Sequence, residues 1–404
     1  MTDAQLEWMA SNYVGALDIT QTAADRIRAY NPDFIALGEQ WASYASPEQH
    51  GSYYRIEQLV YGDVLDAAGF WPYINRHENW FVHADGSDVY RERSLVFGPS
   101  SSPELYWLDV DGLHRKYLGA NLLQLLGSDH FDGWVLGKTE PFSMQNPIFG
   151  EWETHAEFYD YWRPKALRML EYAKAKSADH PRDPMVIAGV WDWWLYGEGE
   201  MDYDPCDGIF VEEFLMDWRY GLVWGNGSLR FPTVMNNALE AQHEGKALIL
   251  NSNFPPYIWD QERMTILACY LLLRDAHTYL YYPGIIGENN AYPLWYPECG
   301  VDTGAPLDPL ASTIGDYLTT DGYGTPYYRR DFENCSAIVT LDGSPELLFD
   351  PFTYDIDYVV VHDGGLVDED GTAEGYWEWV PRATDGGLYR FNPGGYVVRG
   401  LPTE

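Results

Sequence analysis

The chain has 404 residues and carries 62 Asp and Glu against 25 Lys and Arg, a formal net charge of −37. That charge repels a phosphate backbone and an anionic membrane surface, which excludes nucleic acid as a partner and polybasic membrane docking. Aromatic residues at 16% and apolar residues at 46% exclude an unfolded chain, so the acid excess lies on the surface of a packed globule.

The acids are spread from Asp3 to Glu404, and only 6 of the basic residues are lysines. Concentrated salt screens such self-repulsion within a few Å, and dense carboxylates keep a protein hydrated there. The pattern predicts a salt-requiring protein. Far-UV circular dichroism and melting in dilute buffer and in molar KCl check this: structure is expected to be lost at low salt, and full stability there counts against it.

From Tyr13 to Pro283, short apolar or β-branched runs alternate with longer stretches of helical spacing. Strands are expected at 13–19, 34–40, 70–75, 131–137, 185–191, 208–213, 247–251 and 278–282. Helices are expected before Tyr30, at 56–68, 113–126, 153–177, 234–244 and 260–275. Strands alternating with helices imply parallel βαβ units, and eight in this length match a (β/α)₈ TIM barrel. The rival, a doubly wound open sheet, lacks its G-x-G-x-x-G or Walker-type phosphate loop here. Residues 76–111 read as a hairpin inserted after the third unit.

Residues 284–327 are rich in Gly, Pro and Tyr without clear periodicity and read as a structured connection. Beyond Tyr328, short β runs recur at 336–341, 346–349, 358–362, 376–380, 388–391 and 396–399, separated by Gly- and Asp-rich turns. That spacing predicts a C-terminal antiparallel β-sandwich over 328–404, after a barrel over 1–283.

The longest mainly apolar run, Met264 to Leu273, is too short to span a bilayer, so no membrane insertion is expected. The first residues lack the basic patch and apolar stretch of a signal peptide. Cys206, Cys269, Cys299 and Cys335 are widely spaced with no Cys-x-x-Cys, which favours buried free thiols over disulfides or zinc. Asp202-x-Asp204 with Glu213 approximates a calcium loop, but Pro205 interrupts it and its Gly is misplaced. His-Glu-x-x-His and Gly-x-Ser-x-Gly are absent. Neither metal nor cofactor is expected.

Function in a barrel sits at the C-terminal ends of the strands. Those ends deliver Asp18, then Glu39 and Trp41, then Asn75 to His77, then Gly137 to Glu140. The later ones deliver Trp191, Asp192 and Trp193, then Glu212 and Glu213, then Asn251, then Tyr281. Carboxylates, amides and aromatics together suit a carbohydrate: aromatic faces stack on pyranose C–H surfaces and polar groups hold the hydroxyls. Cleaving a glycosidic bond needs two carboxylates flanking it. Abundant acid makes any single strand-end carboxylate weak evidence. Glu212 stands out because it closes the apolar run Gly208-Ile-Phe-Val, and Glu213 beside it points the other way on a strand.

Several segments resemble a known family. Phe131-Asp-Gly-Trp-Val-Leu-Gly137 resembles the fourth-strand motif of glycoside-hydrolase-like barrels, and Asp207-Gly-Ile-Phe-Val-Glu212 their sixth-strand motif. Lys246-Ala-Leu-Ile-Leu-Asn, Ala268-Cys-Tyr-Leu-Leu-Leu and Tyr328-Arg-Arg-Asp-Phe-Glu-Asn add to the match. Their order is similar to that of the hypothetical glycosyl-hydrolase-like family fifteen, over roughly residues 10–345. The resemblance implies a polysaccharide-active (β/α)₈ barrel with a C-terminal β domain. Such families place an acid at the end of the fourth strand, where this chain has Gly137 and Lys138.

The expected function is glycoside hydrolysis, with Glu212 as general acid/base at a raised pKa and Asp192, then Glu140, as its partner. Asp18, Glu39, Trp41, Trp191, Trp193, Asn251 and Tyr281 would bind the sugar. The alternative is a non-catalytic glycan-binding or structural component of a halophile surface or of a haloarchaeal virus particle, with assembly partners there. Both readings place the protein outside the cell, at its surface or in a virion, in high salt.

Overall fold

A computed structural model describes residues 1–17, 19, 21–41, 44–45, 106–107, 130–137, 155–190, 203–212, 214–217, 221–222, 230–252, 260–281, 293–341, 345–351, 355–362, 364–385, 387–392 and 394–401. The helices among them are α1 (Asp3–Asn12), α2 (Gln21–Tyr30), α3 (His155–Ala178), α4 (Arg230–His243) and α5 (Asp260–Leu273). The strands of the first part are β1 (Gly15–Leu17), β2 (Ile35–Trp41), β3 (Tyr44–Ala45), β4 (Tyr106–Trp107), β5 (Gly133–Gly137) and β6 (Met185–Val190). They continue as β7 (Gly208–Val211), β8 (Met216–Asp217), β9 (Gly221–Leu222), β10 (Ala247–Asn251) and β11 (Thr278–Tyr281).

Seven of these strands form one sheet in the order β1-β2-β5-β6-β7-β10-β11, with parallel register wherever two neighbours are matched residue by residue. A parallel sheet with helices between its strands fits an α/β barrel. β2 is paired on one side with β1 and on the other with β5, so the second and fourth expected strands are neighbours. The expected third strand, 70–75, lies outside the described residues, as do the helices at 56–68 and 113–126. α1 was not legible in advance; it buries Leu6, Met9 and Ala10 against Ala23, Ile27 and Phe34.

By contact density the chain falls into two compact units, Leu6–Asp192 with Glu200–Phe210, and Met1–Gln5 with Trp193–Gly199 and Val211–Glu404. In the first, the two Asp-Gly pairs do the same structural work. Asp132 N–H donates to Ala36 O (2.8 Å), and Asp132 Oδ2 accepts from Ala36 N–H (2.8 Å) and from Arg28 of α2 (2.5 Å). Asp207 N–H donates to Val186 O (2.8 Å), and its Oδ2 accepts from Val186 N–H (2.8 Å) and from Lys174 of α3 (3.0 Å). Each Asp thus clamps the second residue of the neighbouring strand and ties down the helix before it. Burial lowers the pKa of Lys174, but Asp207 and Asp183 outweigh it and hold the ammonium above its ordinary value. Gly133 follows because a Cβ there would lie 2.7 Å from both the Cβ and the carbonyl of Met185.

In the second unit the chain continues through β12 (Leu294–Trp295), β13 (Leu318–Thr320), β14 (Pro326–Asp331), β15 (Ser336–Thr340), β16 (Leu347–Phe349) and β17 (Asp357–His362). It closes with β18 (Gly365–Leu366), β19 (Tyr376–Pro381), β20 (Thr384–Asp385), β21 (Leu388–Phe391) and β22 (Gly394–Arg399). A six-stranded sheet, β13-β14-β15-β22-β17-β19, and a three-stranded one, β16-β21-β20, share a core of Tyr327, Ile338, Leu347, Phe349, Ile356, Tyr389, Phe391, Tyr396 and Val398. All the strand matches within these two sheets are antiparallel.

α5 lies directly on this sheet. A Cβ at Gly395 of β22 would come within 2.6 Å of Thr265 Cα, and Gly395 N–H donates to Thr265 Oγ1 at 2.9 Å. The helix ends on Arg330, 2% exposed, whose Nη1 donates to the carbonyls of Leu271 (3.2 Å), Leu272 (3.0 Å) and Arg274 (2.8 Å). Those are carbonyls that a helix terminus leaves without an internal donor. Burial lowers the pKa of this guanidinium, which sits 5.5 Å from the Tyr317 ring. Arg330→Met keeps the apolar stem and removes the donors, so it is expected to cost about 3 kcal/mol, measured as a lower urea midpoint at unchanged slope.

The four cysteines are free. Cys206, Cys269 and Cys335 are buried as expected, and burial pushes the Cys335 thiol up to about 12. Cys299, on the short 3₁₀ turn Pro297–Gly300, is exposed as a whole residue, while burial of its thiol pushes the pKa well above the ordinary value. Among the described residues no helix is long and apolar enough to cross a membrane.

Candidate functional site

The described part of the site lies at the C-terminal ends of β7, β10 and β11. Asn251 and Tyr281 close their strands as direct register partners. Two residues earlier, Ile249 pairs with Tyr279, on the same face of the sheet. The opposite face turns to the helices, because Thr278 Oγ1 accepts from Gln242 of α4 at 2.5 Å. Asn251 and Tyr281 therefore stand on the face away from the helices, where a barrel keeps its interior and its ligands.

Glu212 follows the last residue of β7 and is 8% exposed. The segment after it is stitched to β10: Phe214 N–H donates to Asn251 O at 2.7 Å, and Ser252 Oγ donates to Phe214 O at 3.0 Å. Ser252 N–H in turn donates to Tyr281 O at 3.1 Å. Three strand ends are thus joined by a continuous run of hydrogen bonds. Leu215, 5% exposed, is held there at φ +55, a conformation that costs a branched side chain free energy and collects at functional sites. Neither Leu215 nor Ser252 carried a sequence signal, since left-handed backbone in a leucine is imposed by its surroundings.

In the first unit, Glu39 is in register with Val135, and Trp41 with Gly137. Among the described residues, β5 ends on Gly137 and presents no carboxylate there. The backbones are close at this end of β5 and β6, where a Cβ at Gly189 would lie 2.7 Å from Gly137 Cα. Asp18, Glu140, Trp191, Asp192, Trp193 and Glu213 lie outside the described residues. The structure therefore joins the strand ends that carry Glu212, Asn251 and Tyr281. Among the described residues no cluster of three His, Cys, Asp or Glu could hold a metal ion.

No protein-family model matches the chain, and no curated protein does. Among solved structures it is similar to Amy13B of Eubacterium rectale, at 10% identity and a TM-score of 0.43, spanning 94% of this chain and 80% of that one. It is also similar to AmyB, a noncanonic maltogenic alpha-amylase from Thermotoga neapolitana, at 11% identity and TM-score 0.43, over 95% and 81%. A third is the glycoside hydrolase domain of PelA from Pseudomonas aeruginosa, at 12% and 0.38, over 69% and 89%. Likeness at these scores says nothing about activity.

Proposed function

We propose that the chain is a glycoside-hydrolase-like enzyme of the family-fifteen type, a (β/α)₈ barrel with a C-terminal β-sandwich, acting on a polysaccharide or cell-surface glycan in high salt. Glu212 is its general acid/base. The observation that carries the reading is a buried carboxylate at the end of β7, hydrogen-bonded through its own segment to the ends of β10 and β11 with their amide and phenol. Burial excludes water from a proton-transfer group, and Asn251 and Tyr281 supply the polar and aromatic surfaces that a sugar ring uses. Asp192 is the first choice of second carboxylate and Glu140 the second, about 5–9.5 Å from Glu212 if the pair cleaves.

One observation favours a second reading. Gly137 ends β5 where the resembling family places an acid, which suits a glycan binder without hydrolysis, at a halophile surface or in a virus particle with its assembly partners. Reducing-end release from soluble polysaccharides in molar KCl separates the two. Release that depends on Glu212 supports the enzyme; retention on the polysaccharide without release supports the binder.

A further inference from the structure

We infer that the ends of β10 and β11 form a subsite that takes a hydrogen-bond donor from the ligand, with Asn251 Oδ1 as the acceptor. This rests on the reading of the strand ends as a glycan site and names what the ligand must offer there.

Asn251 is 5% exposed and its side-chain oxygen has no hydrogen-bond partner among the described residues. A buried acceptor in that condition opposes folding, and native chains keep few of them. The nearby donors are committed elsewhere. Phe214 N–H is taken by the main-chain oxygen of Asn251, Ser252 Oγ by Phe214 O, and Ser252 N–H by Tyr281 O. The amide stands beside a residue held in left-handed backbone and in register with an aromatic side chain, on the face of the sheet away from the helices. A costly orphan acceptor and a costly backbone conformation at one strand end are what a chain retains for a ligand.

The chemistry narrows the ligand. A neutral amide oxygen accepts from a hydroxyl or an amine, and a carboxylate or sulfate brings no proton to it. The subsite therefore takes a hydroxyl or an amine of the ligand at this point. A site built around a ligand hydroxyl rejects the analogue lacking it strongly, because the buried partner is then left unpaired.

The test compares the full chain with Asn251→Leu, close in shape and unable to accept, in molar KCl. Calorimetric titrations use maltohexaose, cellohexaose and chitohexaose as probes, and melting is recorded without ligand. The expected result is at least a tenfold loss of affinity for whichever probe the parent binds, with a Tm no lower than the parent's. Undiminished affinity overturns the inference alone. So does a Tm lower by more than about 3 °C, which would mean the oxygen is already used in the free protein. A parent that binds none of the three overturns the glycan reading of the site, and the inference with it.

Discussion

Glu212→Gln is expected to lower glycan cleavage by about 10²–10⁴-fold while leaving oligosaccharide affinity in place. Glutamine keeps the shape of the side chain and its capacity to hydrogen-bond, so the strand end that Phe214, Asn251 and Ser252 hold together has no reason to rearrange. What is lost is the proton that a carboxyl group gives to the leaving oxygen and takes back from water. The loss should fall on kcat with little change in KM, since the interaction removed belongs to the transition state. Release of reducing ends under saturating substrate, beside a calorimetric titration of the variant, separates these effects. Unimpaired turnover would move the acid away from Glu212.

Arg263→Met is expected to destabilise the second unit by roughly 3–5 kcal/mol. Arg263 of α5 pairs with Glu298 at 3.1 Å, where the Glu298 side chain is fully buried and that of Arg263 is 10% exposed. The guanidinium also lies 5.3 Å from the centre of the Tyr296 ring. Two charges taken out of water gain little over a well-packed apolar pair, but removing the guanidinium takes away the positive charge that faces a fully buried carboxylate. The asymmetry gives a control: Arg263→Met with Glu298→Leu is expected to recover most of the loss. Urea unfolding of the two single variants and the double variant measures the coupling directly. Additive losses would mean that the ion pair contributes nothing of its own.

Much of the secondary structure could be read in advance because strands buried on both faces are written as unbroken apolar runs. Trp134 to Leu136, Met185 to Val190 and Ala247 to Leu250 needed no context. The β runs of the C-terminal part were equally legible from their Gly- and Asp-rich turns. Partnerships were another matter. Arg329 and Arg330 are adjacent and chemically alike, yet strand alternation sends them to opposite faces. Arg329 pairs with Asp331 at 2.8 Å, and Arg330 caps the C-terminal end of α5. The Asp-Gly pairs at 132 and 207 were visible as parts of a family resemblance. Only the fold shows that both carboxylates clamp strand starts, the end of a barrel given to stability rather than chemistry.

The site divides the same way. Glu212 could be singled out because it ends an apolar run, and Asn251 and Tyr281 because they end theirs. That Asn251 and Tyr281 are register partners, and that the segment after Glu212 is bonded to one of them, depends on strand order, which no local pattern encodes.

The net charge of −37 by itself pointed away from nucleic acid and anionic membranes, since long-range repulsion depends on the sum of charges and little on their arrangement. Composition by itself also required a packed interior. It could not say which carboxylates matter, because an acid excess of this size puts one near many strand ends. Tertiary structure set which of the described carboxylates are buried and which groups they bond. Short-range forces act between groups a few Å apart, and folding alone determines which groups those are.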